Sequence, residues 1–324
     1  MFMNEAESRP RRVLTGALVK AIKRWFDTAD AIPSTNEAVE NRIDWLRVVP
    51  FIGLHLACLA VFWVGFSWFA LWTALSLYAV RMFAITGFYH RYFSHKAFRT
   101  SRPVQFAFAV LGAASVQRGP LWWAAHHRHH HRHSDTEHDL HSPVTRHFLW
   151  SHMGWFLSER GYRSDHAAVR DLARFPELRW LDRFDIAVPV ALAVALFALG
   201  GWLETNRPQL GVTGPQLLVW GFFISTVVLF HVTVTINSLA HRWGSRRFAT
   251  RDNSRNNWLL ALLTFGEGWH NNHHHYPGAA RQGFAWYEFD LTYYLLRLMS
   301  WLGLVWDLKR VPAALRQTRR EPAR

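Results

Sequence analysis

The chain has 324 residues, a single cysteine and a formal net charge of +14. Half of it is hydrophobic, and Trp and Phe are frequent at 18 and 24 residues. This composition excludes a disordered chain, a disulfide-stapled scaffold and a collagen-like fibre. The mean hydropathy of -0.06 averages long charge-free runs with Arg- and His-rich stretches.

Residues 1–47 form a polar N-terminal segment. Within it, 12–26 reads as a basic amphipathic helix. Leu14, Leu18, Ile22 and Trp25 share one face, with Lys20, Lys23 and Arg24 elsewhere. The first apolar run begins too late for a cleavable signal; the amphipathic segment is expected to be an interfacial helix, with a plain solvated helix as the alternative. Val48 to Val80 carries no charge, and the apolar pattern resumes beyond Arg81 to about Tyr89. One helix of that length would be about twice the thickness of a bilayer core. Two spans are therefore predicted, 48–66 and 68–88, turning at Gly65-Phe66-Ser67. His90 and His95 follow, just past the end of the second span, and His127, His130 and His131 come next. Two further spans are predicted at 186–203 and 215–236, joined by a short linker around Glu204–Pro208. Asn237 and His241 sit at the end of the fourth. His270, His273 and His274 close the series, and 311–324 reads as a basic tail. The expected functional unit is 48–310.

Charge orients the spans. Every Lys and Arg except Arg81 and Arg207 lies in 1–47, 89–183 or 242–324. The positive-inside rule then places both termini and the 89–183 segment in the cytoplasm. The basic balance is explained by topology and anionic headgroups. A nucleic-acid partner is not expected, because the charge is split among three segments flanking spans. The lone Cys58 leaves the redox compartment unconstrained.

Three histidine clusters carry the chemistry. His90 and His95 are spaced i, i+5. His127, His130 and His131 are spaced i, i+3, i+4, and so are His270, His273 and His274. That spacing puts each trio on one helical face, so each can point into one volume. Neutral imidazole binds iron, zinc, copper or nickel. Eight imidazoles exceed the needs of one ion, which suggests two. His241 supplies a ninth, and Asn237, four residues before it, can ligate weakly or hold a metal-bound water. His126, His129, His133, His138, His141 and His275 lie off this spacing and read as bystanders.

These motifs, HRYFSH, HRHHH and GEGWHNNHH in this order with four spans, resemble the membrane-bound fatty acid desaturases. The similarity is to the stearoyl-CoA (acyl-CoA Δ9) desaturase-like branch, of bacterial type. Ser134-Asp135-Thr136, Ser151-His152-Met153-Gly154-Trp155 and Asn237-Ser238-Leu239-Ala240-His241 add to it, and it covers about 45–310. The resemblance implies an all-α integral membrane fold: four transmembrane helices with a cytoplasmic helical cap holding a di-iron site. It implies that His90, His95, His127, His130, His131, His241, His270, His273 and His274, with Asn237 through a water, hold two irons cycling between Fe2+ and Fe3+. No other catalytic or cofactor-binding residue is expected.

The implied reaction uses O2 as co-substrate and two external electrons to place a cis double bond at Δ9 in a saturated acyl chain. Electrons would come from a separate ferredoxin-, rubredoxin- or cytochrome b5-like protein with its reductase. The implied location is a bacterial inner membrane, in contact with membrane lipid. Acyl-CoA is the expected substrate. Ala125-His126 and Ser158-Glu159-Arg160 depart from the animal acyl-CoA enzymes, which leaves acyl carrier protein and lipid headgroups open. A narrow apolar tunnel is expected, with Trp122, Trp123, Phe265 and Trp269 as candidate lining. Asp135, Asp139 and Glu267 are candidates to orient the imidazoles. A hydroxylase or ketolase of the same superfamily is the competing enzyme reading. A non-catalytic metal transporter would need polar groups along its spans, where only His55, Arg81 and His231 occur.

Overall fold

The computed structural model describes residues 22–28 and 41–317. Of the expected amphipathic helix, 22–26 are helical, and 12–21 lie outside the described residues, as does the tail beyond 317. Four helices are long and apolar enough to cross a membrane: α1 (Trp45–Val64), α2 (Trp68–Ser94), α6 (Ala187–Asn206) and α7 (Gly214–Ser238). Between and after them come α3 (Arg102–Ala113), α4 (Pro120–His133), α5 (Pro176–Arg183), α8 (Trp258–Leu263), α9 (His270–His275) and α10 (Leu291–Trp301). A two-stranded antiparallel ribbon, β1 (Arg99–Thr100) with β2 (Val305–Trp306), ties the α2–α3 loop to the segment after α10. The fold is thus all-α with four membrane-length helices.

Local chemistry sets the turns. Gly65 adopts φ 71°, a backbone that favours glycine, and ends α1. Ser67 then caps α2 by accepting from the Ala70 amide. Thr213 and Gln216 form a capping box at the start of α7. Gln216 Nε2 donates to the Val64 carbonyl at 2.9 Å, and Trp220 Nε1 donates to that of Gly65 at 3.0 Å. These bonds lock the two helical hairpins together at the end remote from the histidines.

α7 is the central helix and α1 the peripheral one: half of the apolar window of α7 is buried within the protein, against 6% for α1. Trp63 and Phe62, about four-fifths exposed on α1, suit lipid contact. Arg81 in α2 is buried, with no carboxylate beside it among the described residues. Its guanidinium donates to the Ala114 carbonyl and to the hydroxyls of Thr226 and Ser225, which ties α2 to α7.

α2 differs from expectation. Its last eleven residues, Ala84–Ser94, are π-helical, so the helix continues through His90, which lies inside it and not past its end. Within this stretch Arg91 is buried. It bonds Glu267, Asp290 and the Ala280 carbonyl, anchoring the end of α2 to the C-terminal third of the chain.

Candidate metal centre

α2, α4, α9 and the turn after α7 converge at one end of the spans. Nine imidazoles meet there in two groups. One contains His90, His95, His127, His131 and His273, and the other His130, His241, His270 and His274. Each trio is split. His127 and His131 join the first group while His130 joins the second. His270 and His274 join the second while His273 joins the first. The reason is helical geometry: at about 100° per residue, i and i+4 diverge by about 40°, whereas i+3 and i+4 diverge by about 100°. Each helix therefore gives two imidazoles to one centre and one to the other. The expectation of one volume per trio is corrected on this point.

Within the groups, Nε2 atoms face one another. His90 and His273 approach to 3.0 Å, His273 and His131 to 2.9 Å, His95 and His127 to 2.8 Å, and His241 and His270 to 3.0 Å. Four of the Nδ1 atoms face carboxylates instead. His130 Nδ1 lies 2.9 Å from Asp139, His241 Nδ1 2.9 Å from Asp135, and His274 Nδ1 2.6 Å from Asp252. His90 Nδ1 contacts Glu267. A carboxylate at Nδ1 holds the proton there and leaves the lone pair on Nε2. In the second group, His130, His241 and His274 then present lone pairs to one small volume. The buried His274 Nε2 has no hydrogen-bond partner among the described residues. Converging lone pairs repel one another unless a cation lies between them, so this donor set fits a metal ion in each group.

The electrostatics agree. Burial, then neighbouring imidazoles, holds His95, His127, His131, His270 and His273 well below the ordinary histidine range. At neutral pH they are uncharged, the form that ligates. Burial lowers His274 to about 4 despite Asp252. Burial also lowers His130, but Asp139 outweighs it and raises the group. For Asp135, Asp139 and Asp252, burial acts upward and is overcome by the adjacent histidines, leaving all three well below the usual carboxylate range.

Of the residues expected to orient imidazoles, Asp135, Asp139 and Glu267 do lie against Nδ1 atoms. Asp252 is one that sequence reasoning missed: it sits in a loop 22 residues before His274, with no spacing to mark it. Asp252→Asn is expected to weaken metal retention about 10–100-fold while leaving the fold intact. Metal per chain after dialysis against a graded chelator checks this.

Beside the first group lies a cavity of about 470 Å³. His126, His127, His141 and Asn237 are among its lining residues, and Trp122 and Trp123 line it as expected. Phe265 and Trp269 do not. Phe265 packs on Tyr78, and Trp269 donates to the Phe289 carbonyl. Gln117 Nε2 donates to Thr233 Oγ1 at 3.1 Å, and both residues line the cavity. Asn237 lines the wall, and its carboxamide makes no hydrogen bond among the described residues. α7 ends at Ser238, so His241 leaves Asn237's helical face and turns to the second group. His141, off the sequence spacing, is buried between this cavity and the Asp139 carboxylate. His275 stacks on Phe248.

Four membrane-length helices carrying two groups of buried imidazoles at one end define a class: helical membrane proteins with a histidine-built site. The sequence pattern of the fatty acid desaturase family matches residues 66–306, and the chain belongs to that family. It is 37% identical over 279 residues to an sn-1 stearoyl-lipid 9-desaturase of Anabaena variabilis, covering 84% of this chain and 96% of the relative. It is 35% identical over 298 residues to an acyl-CoA 5-desaturase of Anemone leveillei, covering 86% and 88%. It is 37% identical over 280 residues to a palmitoyl-monogalactosyldiacylglycerol delta-7 desaturase of Arabidopsis thaliana, covering 85% and 71%. The protein is a fatty acid desaturase, an oxidoreductase acting on fatty acyl chains.

Proposed function

We propose that this desaturase introduces a cis double bond at Δ9 into a saturated acyl chain, using two irons held by the nine imidazoles. The observation that carries the reading is the pair of imidazole groups whose lone pairs converge beside an apolar cavity. An unactivated methylene has no useful acidity, so no side-chain base can remove its hydrogen. A di-iron centre, with O2 and two external electrons, would supply the oxidising power.

The first iron falls to His90, His95, His127, His131 and His273, and the second to His130, His241, His270 and His274. Asn237 holds a water at the cavity side. Asp135, Asp139, Asp252 and Glu267 fix the ring orientations. Trp122, Trp123 and the Gln117–Thr233 bond shape the cavity so that one stretch of chain lies beside His127.

The relatives divide between CoA and lipid headgroups, and both chemistries suit this reaction. The site faces the cytoplasm with both termini, where a separate ferredoxin-, rubredoxin- or cytochrome b5-like protein delivers electrons. A bacterial inner membrane suits this arrangement. Expression in a host with such an electron source, followed by mass analysis of its lipids, tests the reading. A new Δ9 cis double bond is the expected product. Hydroxylated or ketonic chains instead would assign the protein to the sister chemistry. Labelling of an engineered cysteine at 205–213 from the cytoplasm would defeat the topology.

A further inference from the structure

The cavity has an opening that the reaction alone does not explain. Its walls come from α7, through Phe230 and Val234, from α1, through Pro50 and Leu54, and from α6, through Val190 and Val194. α2 contributes nothing to the lining. The cavity therefore lies on the flank of α7 between α1 and α6, and both of these helices pack on α7.

Pro50, Val190 and Val194 line the cavity and are at the same time exposed, Val190 by 47% and Val194 by 62%. Side chains that do both mark where the cavity wall is thin or open, and here they cluster between α1 and α6. Pro50 is five residues into α1 and Val194 seven into α6. At 1.5 Å per residue the slot reaches about 10 Å into the apolar layer. Its named rim residues are all apolar, so it faces lipid tails and not water.

Above the slot, where α1 and α6 begin, the cavity mouth changes character. Arg24, Arg47 and Arg118 gather there with Asp44 and Asp185. The Arg47 and Arg118 guanidiniums both lie over the Tyr162 ring. Among the described residues three guanidiniums meet two carboxylates there, which makes the mouth basic at the level of a bilayer's phosphates.

We infer that the α1–α6 slot is a lateral entrance, and that the chain desaturated is still esterified in a membrane glycerophospholipid. The phosphate rests at the Arg47–Arg118 mouth while the acyl chain slides sideways through the slot, past Val194, towards His127. The chain never crosses water, so the transfer of its apolar surface costs little. This inference rests on the acyl-site reading above.

The test separates the two. The purified enzyme is placed in bilayers containing phosphatidylglycerol whose stearoyl-length chain carries a diazirine near its centre. Illumination is expected to label cavity residues such as Phe230 or Trp123. Val194→Trp, which plugs the slot, should cut that labelling by at least about tenfold. Labelling needs no electrons, so it is independent of turnover. In parallel, the reduced enzyme is offered stearoyl phosphatidylglycerol or stearoyl-CoA. Loss of lipid but not CoA turnover in Val194→Trp supports the slot. Label confined to the outer faces of α1 and α6, or labelling unaffected by Val194→Trp, overturns it, as does turnover of the CoA ester alone. If Val194→Trp fails to accumulate, the position of the label in the unaltered enzyme decides. Absence of any double bond in either substrate, with normal cavity labelling, would instead defeat the desaturase reading and leave the entrance standing.

Discussion

His127→Ala and His273→Ala are expected to lose bound iron and desaturase activity together, each by more than about 100-fold, the upper range for residues that only orient a ligand. His273 sits centrally in the five-imidazole group, with its Nε2 within 3.0 Å of His90 and 2.9 Å of His131. His127 joins that group through His95 at 2.8 Å and also borders the cavity. Alanine at either place removes a donor from the five-imidazole group. His133→Ala and His275→Ala serve as controls, since neither belongs to an imidazole group. Iron per chain and product per chain, measured on the same preparations, check the pairing of the two losses. Full activity in either ligand variant would remove the catalytic reading. Zinc in a purified sample would not, because imidazole sites accept several metals.

Asn237→Ala is expected to keep its iron and lose turnover by about 10–100-fold, an effect of the size seen when groups around a metal are removed. Among the described residues its carboxamide makes no hydrogen bond, and it lines the same cavity as His127; in the proposed role, a water held there would keep one coordination position open. Asn237→His should bind metal at least as well and be nearly inactive, because an imidazole fills that position. The contrary reading makes Asn237 a plain interhelical hydrogen-bonding residue worth about 1 kcal/mol. A normal ratio of product to iron in Asn237→Ala would decide for it.

Spans and ligand types are legible in the sequence because each depends on local pattern. Charge-free runs mark α1, α2, α6 and α7, and the i, i+3, i+4 histidines mark α4 and α9. The bounds of α2 are not legible, because hydropathy cannot distinguish i→i+4 from i→i+5 bonding, and the π-helical end carries His90 further than a polar boundary suggests. The sharing of each trio between two centres depends on how α4 and α9 face each other, which no single segment encodes. Asp252 and His141 acquire their places only through contacts made across the fold. The lateral slot is a property of two helices that flank a third, and so leaves no mark on any one of them.

The ties that close the first imidazole group bear on how the protein is made. His90 must meet His273, 183 residues further along the chain, and the adjoining Arg91 must meet Asp290. At about 5–20 residues per second, a ribosome needs roughly 10–40 s to cover that interval. During it, α2 is already in the bilayer with His90 and Arg91 unmatched. If the imidazole groups hold iron as proposed, metal captured at that stage would find too few donors, so loading would have to wait until His273 has been made. Until then the half-built protein would be a target for quality-control proteases, and iron supply would govern how much of it survives.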